Sequence, residues 1–155
     1  MEFVEVTSQI EEPRFLDLLS LAVGYPTPEK LALILAGYRS LPGRKVFALL
    51  DGQAVQGIIG LEPSGRALAR IRHIAVPEAL RRQGIGRRLL TEACAATGVT
   101  ALVAETHRDA VGFYRACGFS VQSLGERFPG VERFSCALGA AFYGADPVKP
   151  SDSSQ

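Results

Sequence analysis

Apolar residues along this 155-residue chain recur in three patterns: alternation, a spacing of three to four, and short unbroken runs. Each pattern implies an element. Phe3, Val4 and Val6, set beside Glu2 and Glu5, predict a short opening strand. Phe15, Leu18, Leu19 and Leu21 give an apolar face to a helix over Pro13–Val23, which Gly24-Tyr25-Pro26 breaks. Thr27-Pro28-Glu29-Lys30 then has a Thr cap, Pro at the first helical position and a charged first turn, so a second helix runs to about Tyr38. Lys45–Leu50 and Ala54–Leu61 read as strands of a hairpin turned by Asp51-Gly52. Ala67–Val76 is a third strand of this group, stopped by Pro77. Gly84–Thr97 is helical, with Ile85, Leu89, Leu90, Ala93 and Cys94 inward and Gly98 as its stop. Thr100–Ala104 is a buried-type strand, Asp109–Ala116 a short helix, and Phe119–Leu124 and Arg133–Leu138 two closing strands.

The element order is that of a single α/β domain over residues 1–138. Residues 139–155 are expected to form a flexible tail, since from Gly144 to Gln155 the chain is rich in Asp, Ser, Pro and Lys. No apolar run approaches the ~18–20 residues of a membrane span. The acidic, alternating start is unlike a signal peptide. Cys94, Cys117 and Cys136 lie far apart among apolar neighbours and read as buried free thiols, which predicts a cytoplasmic protein. Two histidines and no Cys-x-x-Cys pair predict no metal site.

Charge is balanced overall, with 17 Lys+Arg against 16 Asp+Glu, but not locally. Between Arg66 and Arg88 stand seven arginines and one acid, Glu78, a stretch of +6. Arginine pairs with phosphate bidentately. The same stretch contains a strand end, a basic loop, and then two glycines opening a helix: Arg81, Arg82, Gln83, Gly84, Ile85, Gly86, Arg87 and Arg88. Amides of a first helical turn have no partner inside the helix, and with the macrodipole they form an anion site. A Walker loop is excluded, since Gly-x4-Gly-Lys-Ser/Thr is absent. A dinucleotide fingerprint is excluded too, since Leu89 is not small and seven residues separate Val76 from Gly84.

Arg81-Arg82-Gln83-Gly84-Ile85-Gly86 matches the Arg/Gln-x-x-Gly-x-Gly/Ala signature of the GCN5-related N-acetyltransferases (GNAT). Asp109 to Phe119 resembles the same family's Ala-x-x-Phe-Tyr-x-x-x-Gly-Phe segment. Pro77 stands one position earlier than is typical. The resemblance covers residues 1 to about 138. It implies a GNAT fold: a mixed, mostly antiparallel sheet of about seven strands, splayed between the fourth and fifth and flanked by about four helices. It also implies acetyl-CoA as co-substrate. The signature loop would bind its pyrophosphate, and the backbone of Ile74, Ala75 and Val76 would run beside its pantetheine arm. An amide near Ile74 would polarise the thioester carbonyl. Tyr114 matches the tyrosine that faces the departing sulfur in many relatives. His107 stands where the family often has Asn, and is either a cofactor contact or an exposed loop residue.

A base for the attacking amine is not assigned. The glutamate that several lysine-modifying relatives use is replaced here by Arg70. Glu105 and His73 are the leading candidates, followed by Glu62 and Asp51; solvent water is a further one. Tyr25, Tyr38 and the Gly24–Pro28 loop are expected to wall the acceptor pocket, with Phe128-Pro129-Gly130-Val131 opposite, which suits a partly apolar amine.

Three functional readings follow. The first is acetyl transfer from acetyl-CoA to a primary amine by direct attack in a ternary complex. The second is a catalytically silent acyl-CoA-binding regulatory module. The third, a nucleic-acid protein, is set aside because no aromatic residues interleave the arginines. No membrane partner is expected. The closing strands fit either a homodimer paired through them or a monomer with an exposed edge.

Overall fold

The computed structural model describes residues 1–139. Seven strands and four helices follow the expected order. The strands are β1 (Glu2–Glu5), β2 (Lys45–Asp51), β3 (Ala54–Pro63), β4 (Leu68–Ala75), β5 (Ala101–His107), β6 (Ser120–Phe128) and β7 (Val131–Gly139). The helices are α1 (Pro13–Leu21), α2 (Pro28–Ser40), α3 (Ile85–Thr97) and α4 (Arg108–Ala116), with short 3-10 turns at Thr7–Gln9 and Glu78–Leu80. The strand order is β1-β2-β3-β4-β5-β7-β6. The β4–β5 pair is parallel, and its register covers Leu68↔Ala101, Ala69↔Leu102 and Arg70↔Val103. The pairs β1–β2, β2–β3, β5–β7 and β6–β7 are antiparallel. Among the described residues no helix is long and apolar enough to cross a membrane. The tail expected from residue 139 falls outside the described residues, except for Gly139, which ends β7.

Contacts divide the chain into two compact units. The first comprises Met1–Pro63 and Ile71–Thr97. Its core is a sheet faced by helices on both sides. On one face, Val46 and Ala48 of β2 and Ile58 of β3 pack with Phe15, Leu18 and Leu19 of α1 and Leu35 and Tyr38 of α2. Side chains alternate across a strand, so the other face of β3 meets α3. There a Cβ at Gly57 would stand 2.8 Å from Leu89 Cδ1 and 3.1 Å from Ile85 Cγ2. Helix α2 begins as its sequence indicates, with the Thr27 hydroxyl accepting the Lys30 amide at 3.1 Å. Helix α1 ends at Leu21, two residues before the expected Val23, and one residue of its expected apolar face turns outward. Leu21 is 57% exposed. At 100° per residue it lies off the face centred on Phe15, Leu18 and Leu19, and Ala22 packs on the core in its place.

The second unit comprises Ser64–Arg70 and the chain from Gly98 onward. Strand β7 lies between β5 and β6, paired with β5 from Ala101↔Gly139 to His107↔Arg133. Helix α4 covers this sheet with Val111 and Tyr114, beside buried Phe119, Phe134 and Cys136. Strand β4 starts at Leu68 rather than Ala67 because Ala67 is left-handed, with φ 57°. Its carbonyl takes the Thr100 and Ala101 amides at 2.8 and 3.2 Å. The closing strands are longer than their sequence suggests. They meet at a Pro129-Gly130 turn, so Phe128 and Val131 are paired strand ends. Of the three thiols only Cys136 is buried; Cys94 and Cys117 are half-exposed.

Gly60 is the tightest point of the first unit. A methyl group there would overlap the Tyr38 hydroxyl and stand 2.6 Å from Tyr38 Cζ. Gly60→Ala should therefore destabilise the protein by about 1–3 kcal/mol in urea unfolding. Removing the hydroxyl as well should recover part of that loss. In a double-mutant cycle, Gly60→Ala with Tyr38→Phe should cost less than the sum of the two single changes.

Candidate active site

The signature loop is built by backbone geometry. After β4 the chain passes Val76 and Pro77, makes the turn Glu78–Leu80, and is held there by Arg81, whose Nε donates to the Val76 carbonyl at 3.0 Å. Arg82 follows in the left-handed region at φ 66°, and Gly84 at φ 82°. The Gly84 carbonyl accepts the Arg88 amide at 3.0 Å, so Gly84 is the residue that caps α3. It has no side chain with which to satisfy the Ile85 and Gly86 amides that follow. Gln83 turns back instead, its Nε2 donating to the Ala79 carbonyl at 3.4 Å. A Cβ on Gly84 would meet nothing within 4 Å. The loop therefore has open space above it. Around it are the exposed guanidinium groups of Arg81, Arg82, Arg87 and Arg88, the last paired with Glu92 at 3.2 Å. Ile85 is buried against β3 and fixes the helix end. These features suit a polyanion such as a pyrophosphate.

At the end of β4, Ala75 is buried and Ile74 is half-buried, as is Val76 just beyond the strand, so their side chains belong to the packing. The preceding residue, His73, is part of a polar cluster. Its Nδ1 lies 2.6 Å from the Tyr38 hydroxyl. Glu62 of β3 accepts from Arg44 Nε and Nη2 at 3.0 and 2.7 Å through one oxygen, and from Arg72 Nη1 at 3.4 Å through the other. Burial, then the charges of Arg72 and Arg44, push His73 down to about 4. Burial holds the Tyr38 hydroxyl above its ordinary value. Both are therefore neutral at pH 7. Tyr38, expected as a pocket wall, is instead a core residue at 3% exposure. Glu62 is taken up by two guanidinium groups, which removes it as a candidate base. Arg44 was not singled out by the sequence, and no local pattern marks it, since its partner lies 18 residues away.

In the second unit, Tyr114 is 5% exposed, with Phe113 and Phe119 edge-on at 5.2 and 5.1 Å. Burial raises its hydroxyl above the usual range, and the neighbouring Cys136 and Cys117 add to this. Phe119 is core as expected, while Phe113 is only half-buried. His107 caps α4, its Nδ1 accepting the Asp109 amide at 3.3 Å. Glu105 is exposed on β5, opposite Ser135. Tyr25, at 92% exposure in the first unit, and Phe128, at 69% in the second, are open to solvent.

The His73 environment sets a pH dependence. The unfolded chain takes up a proton near pH 6.5, whereas the folded chain does so only near pH 4. The stability associated with neutral His73 is thus present above pH 6.5 and lost as pH falls toward 4. Compared with His73→Gln, the wild-type protein should lose up to about 3 kcal/mol more on going from about pH 7.5 to about pH 4, read from urea midpoints.

Comparison with known proteins places this chain in a family. The model described as Acetyltransferase (GNAT) domain matches residues 42–121. No curated protein sequence matches at a significant level. Among solved structures, a GNAT family acetyltransferase from Elizabethkingia anophelis with acetyl-CoA bound is 21% identical. The match covers 89% of this chain and 97% of that one, with a TM-score of 0.63. An aminoglycoside 6'-N-acetyltransferase complexed with coenzyme A is 18% identical over 90% of this chain and 97% of that one, with a TM-score of 0.68. The ribosomal-protein-S18-alanine N-acetyltransferase from Escherichia coli is 19% identical over 89% of this chain and 92% of that one, at 0.64. At these identities the likeness establishes the fold. The family model spans more than half of the 155 residues and includes the whole Arg81–Arg88 loop, and the chain belongs to the GNAT acetyltransferase family.

Proposed function

We propose that this protein is an acetyl-CoA-dependent N-acetyltransferase acting on a primary amine by direct attack within a ternary complex. The observation that carries this reading is the loop before α3, a glycine-capped helix start ringed by arginines with open space above it. In this reading the Ile85 and Gly86 amides, with Arg81, Arg82, Gln83, Gly84, Arg87 and Arg88, hold the pyrophosphate. The backbone of Ile74, Ala75 and Val76 lies along the pantetheine arm, and the Ile74 amide polarises the thioester carbonyl. The amine nitrogen attacks that carbon, the C–S bond breaks, and the amine's proton passes to solvent water. His107 caps α4 through Nδ1. Free thiols suit the reducing cytoplasm as the compartment.

Tyr114 has a limited role open to it. A free phenol at about pKa 10 is already a weaker acid than a thiol at about 8.5, and burial weakens it further. Net proton transfer to the thiolate is uphill. A hydrogen bond donated to the departing sulfur is the step it can perform.

Two outcomes test this reading. Calorimetry should give micromolar binding of acetyl-CoA, with dephospho-CoA weaker and NAD silent. Arg82→Glu should weaken acetyl-CoA binding about 10- to 100-fold with little change in the urea midpoint. Absence of binding by folded wild-type protein would overturn the reading. Binding with no thiol release across an amine panel would favour the silent module. Separately, Tyr114→Phe should lower kcat about 10-fold while leaving KM for acetyl-CoA within about threefold, and the rate should show no tyrosine titration between about pH 6 and 9.

A further inference from the structure

The pyrophosphate loop leaves a second group of charges unexplained, and it includes Arg72 of β4, two residues before Ile74. Arg44 is fixed to one Glu62 oxygen by two hydrogen bonds, and Arg72 touches the other. Two guanidinium groups against one carboxylate leave a net +1. His73 adds no charge at pH 7, because its ring is neutral and Nδ1 is joined to the Tyr38 hydroxyl at 2.6 Å. With Tyr38 as donor in that bond, the imidazole hydrogen sits on Nε2, which is then another donor.

The two arginines differ in accessibility. Arg44's side chain is 14% exposed and Arg72's is 39%. The Arg72 contact is also the long one, at 3.4 Å against 2.7 Å for Arg44. A guanidinium–carboxylate pair of good geometry closes to about 2.7–2.9 Å. Arg72 is thus the outer, loosely engaged member of a cluster whose inner member is fixed. The cluster presents donors and positive charge, and its one carboxylate is already engaged by both arginines. A polycationic amine would be repelled here. An amine with an adjacent anion would be complemented.

We propose that the acceptor is an amine that carries a carboxylate, of the amino-acid class, and that Arg72 binds that carboxylate while the Arg44–Glu62 pair holds Arg72 in place. The proposal rests on the acetyltransferase reading, which sets transfer beside Ile74. It assigns Arg72 to specificity and leaves the chemical step to the groups already named.

The test compares L-amino acids with their amides, and both with spermidine, by thiol release at saturating acetyl-CoA. The amides have the less basic amine, so intrinsic reactivity favours them. The wild-type enzyme should nonetheless prefer its best amino acid over the matching amide by about 10-fold or more in kcat/KM. Arg72→Gln should bring that ratio to about 1–2 with acetyl-CoA affinity retained, and Arg72→Lys should keep part of the preference. Preference for amides or spermidine would overturn the proposal, as would an unchanged ratio in Arg72→Gln. So would binding of acetyl-CoA with turnover of neither series. Failure to bind acetyl-CoA at all would overturn the acetyltransferase reading itself, which is a separate result. Should Arg72→Gln not fold, the wild-type ratio decides alone.

Discussion

At Gly57 and Gly60 strand β3 offers no side chain, and a helix closes down on each position. On one face α3 brings Ile85 and Leu89 to within contact of the backbone at Gly57. On the other, the Tyr38 ring of α2 lies over Gly60. Both consequences reach the chemistry. Ile85 is the first residue of α3, so its seat on β3 fixes where the open amides of that helix stand. Tyr38 carries the hydroxyl that holds His73, so its seat fixes the imidazole at the end of β4. Two missing Cβ atoms on one strand thereby position both the arginine-rich loop before α3 and the polar cluster. A strand glycine ordinarily weakens a sheet. Here the close packing of two helix layers offsets that loss.

The polar cluster shows how burial and charge select protonation states. His73, Tyr38, Arg44, Glu62 and Arg72 could hold protons in several arrangements. Desolvation disfavours imidazolium and phenolate alike, and the nearby guanidinium groups add to the first effect. The result is a neutral hydrogen-bonded pair beside a charged triad. This argues against His73 as the acceptor of the amine's proton. A group that stays neutral down to about pH 4 is a poor match for an amine that holds its proton above neutrality. It remains a good donor or acceptor of hydrogen bonds, which is a positioning role.

The elements with local signals were legible in the sequence. Thr27-Pro28 at the start of α2, Asp51-Gly52 between β2 and β3, and the Gly-x-Gly opening of α3 each act within a few residues, and the fold places each where its chemistry indicates. The misreadings were non-local. Nothing near Tyr38 says that a glycine on β3 will admit its ring, or that a histidine 35 residues on will bond its hydroxyl. It therefore read as a pocket wall. The full length of β6 was hidden for another reason. Ser120–Phe128 is exposed along nearly its whole length, so it has no alternation to read, and pairing with β7 through two register shifts makes it a strand. His107 read as either a cofactor contact or an exposed loop residue, and its capping of α4 was missed because that depends on one backbone turn rather than on any periodicity.

The arginine run illustrates why sequence proximity is a poor guide to a charged surface. Seven arginines between Arg66 and Arg88 look like one basic patch. In the fold they serve different ends. Arg81 is spent partly on its own loop, tied to the Val76 carbonyl, and Arg88 on Glu92 one helical turn away. Arg72 belongs to the Glu62 cluster, joined by Arg44 from outside the run. The group at the α3 end is anchored by backbone conformation, at left-handed Arg82 and Gly84. The β4 group is anchored by a carboxylate between two guanidinium ions. The two anchors differ in what they can recognise. Open amides with surrounding charge suit a diffuse polyanion such as pyrophosphate, whereas a braced guanidinium suits a single planar carboxylate.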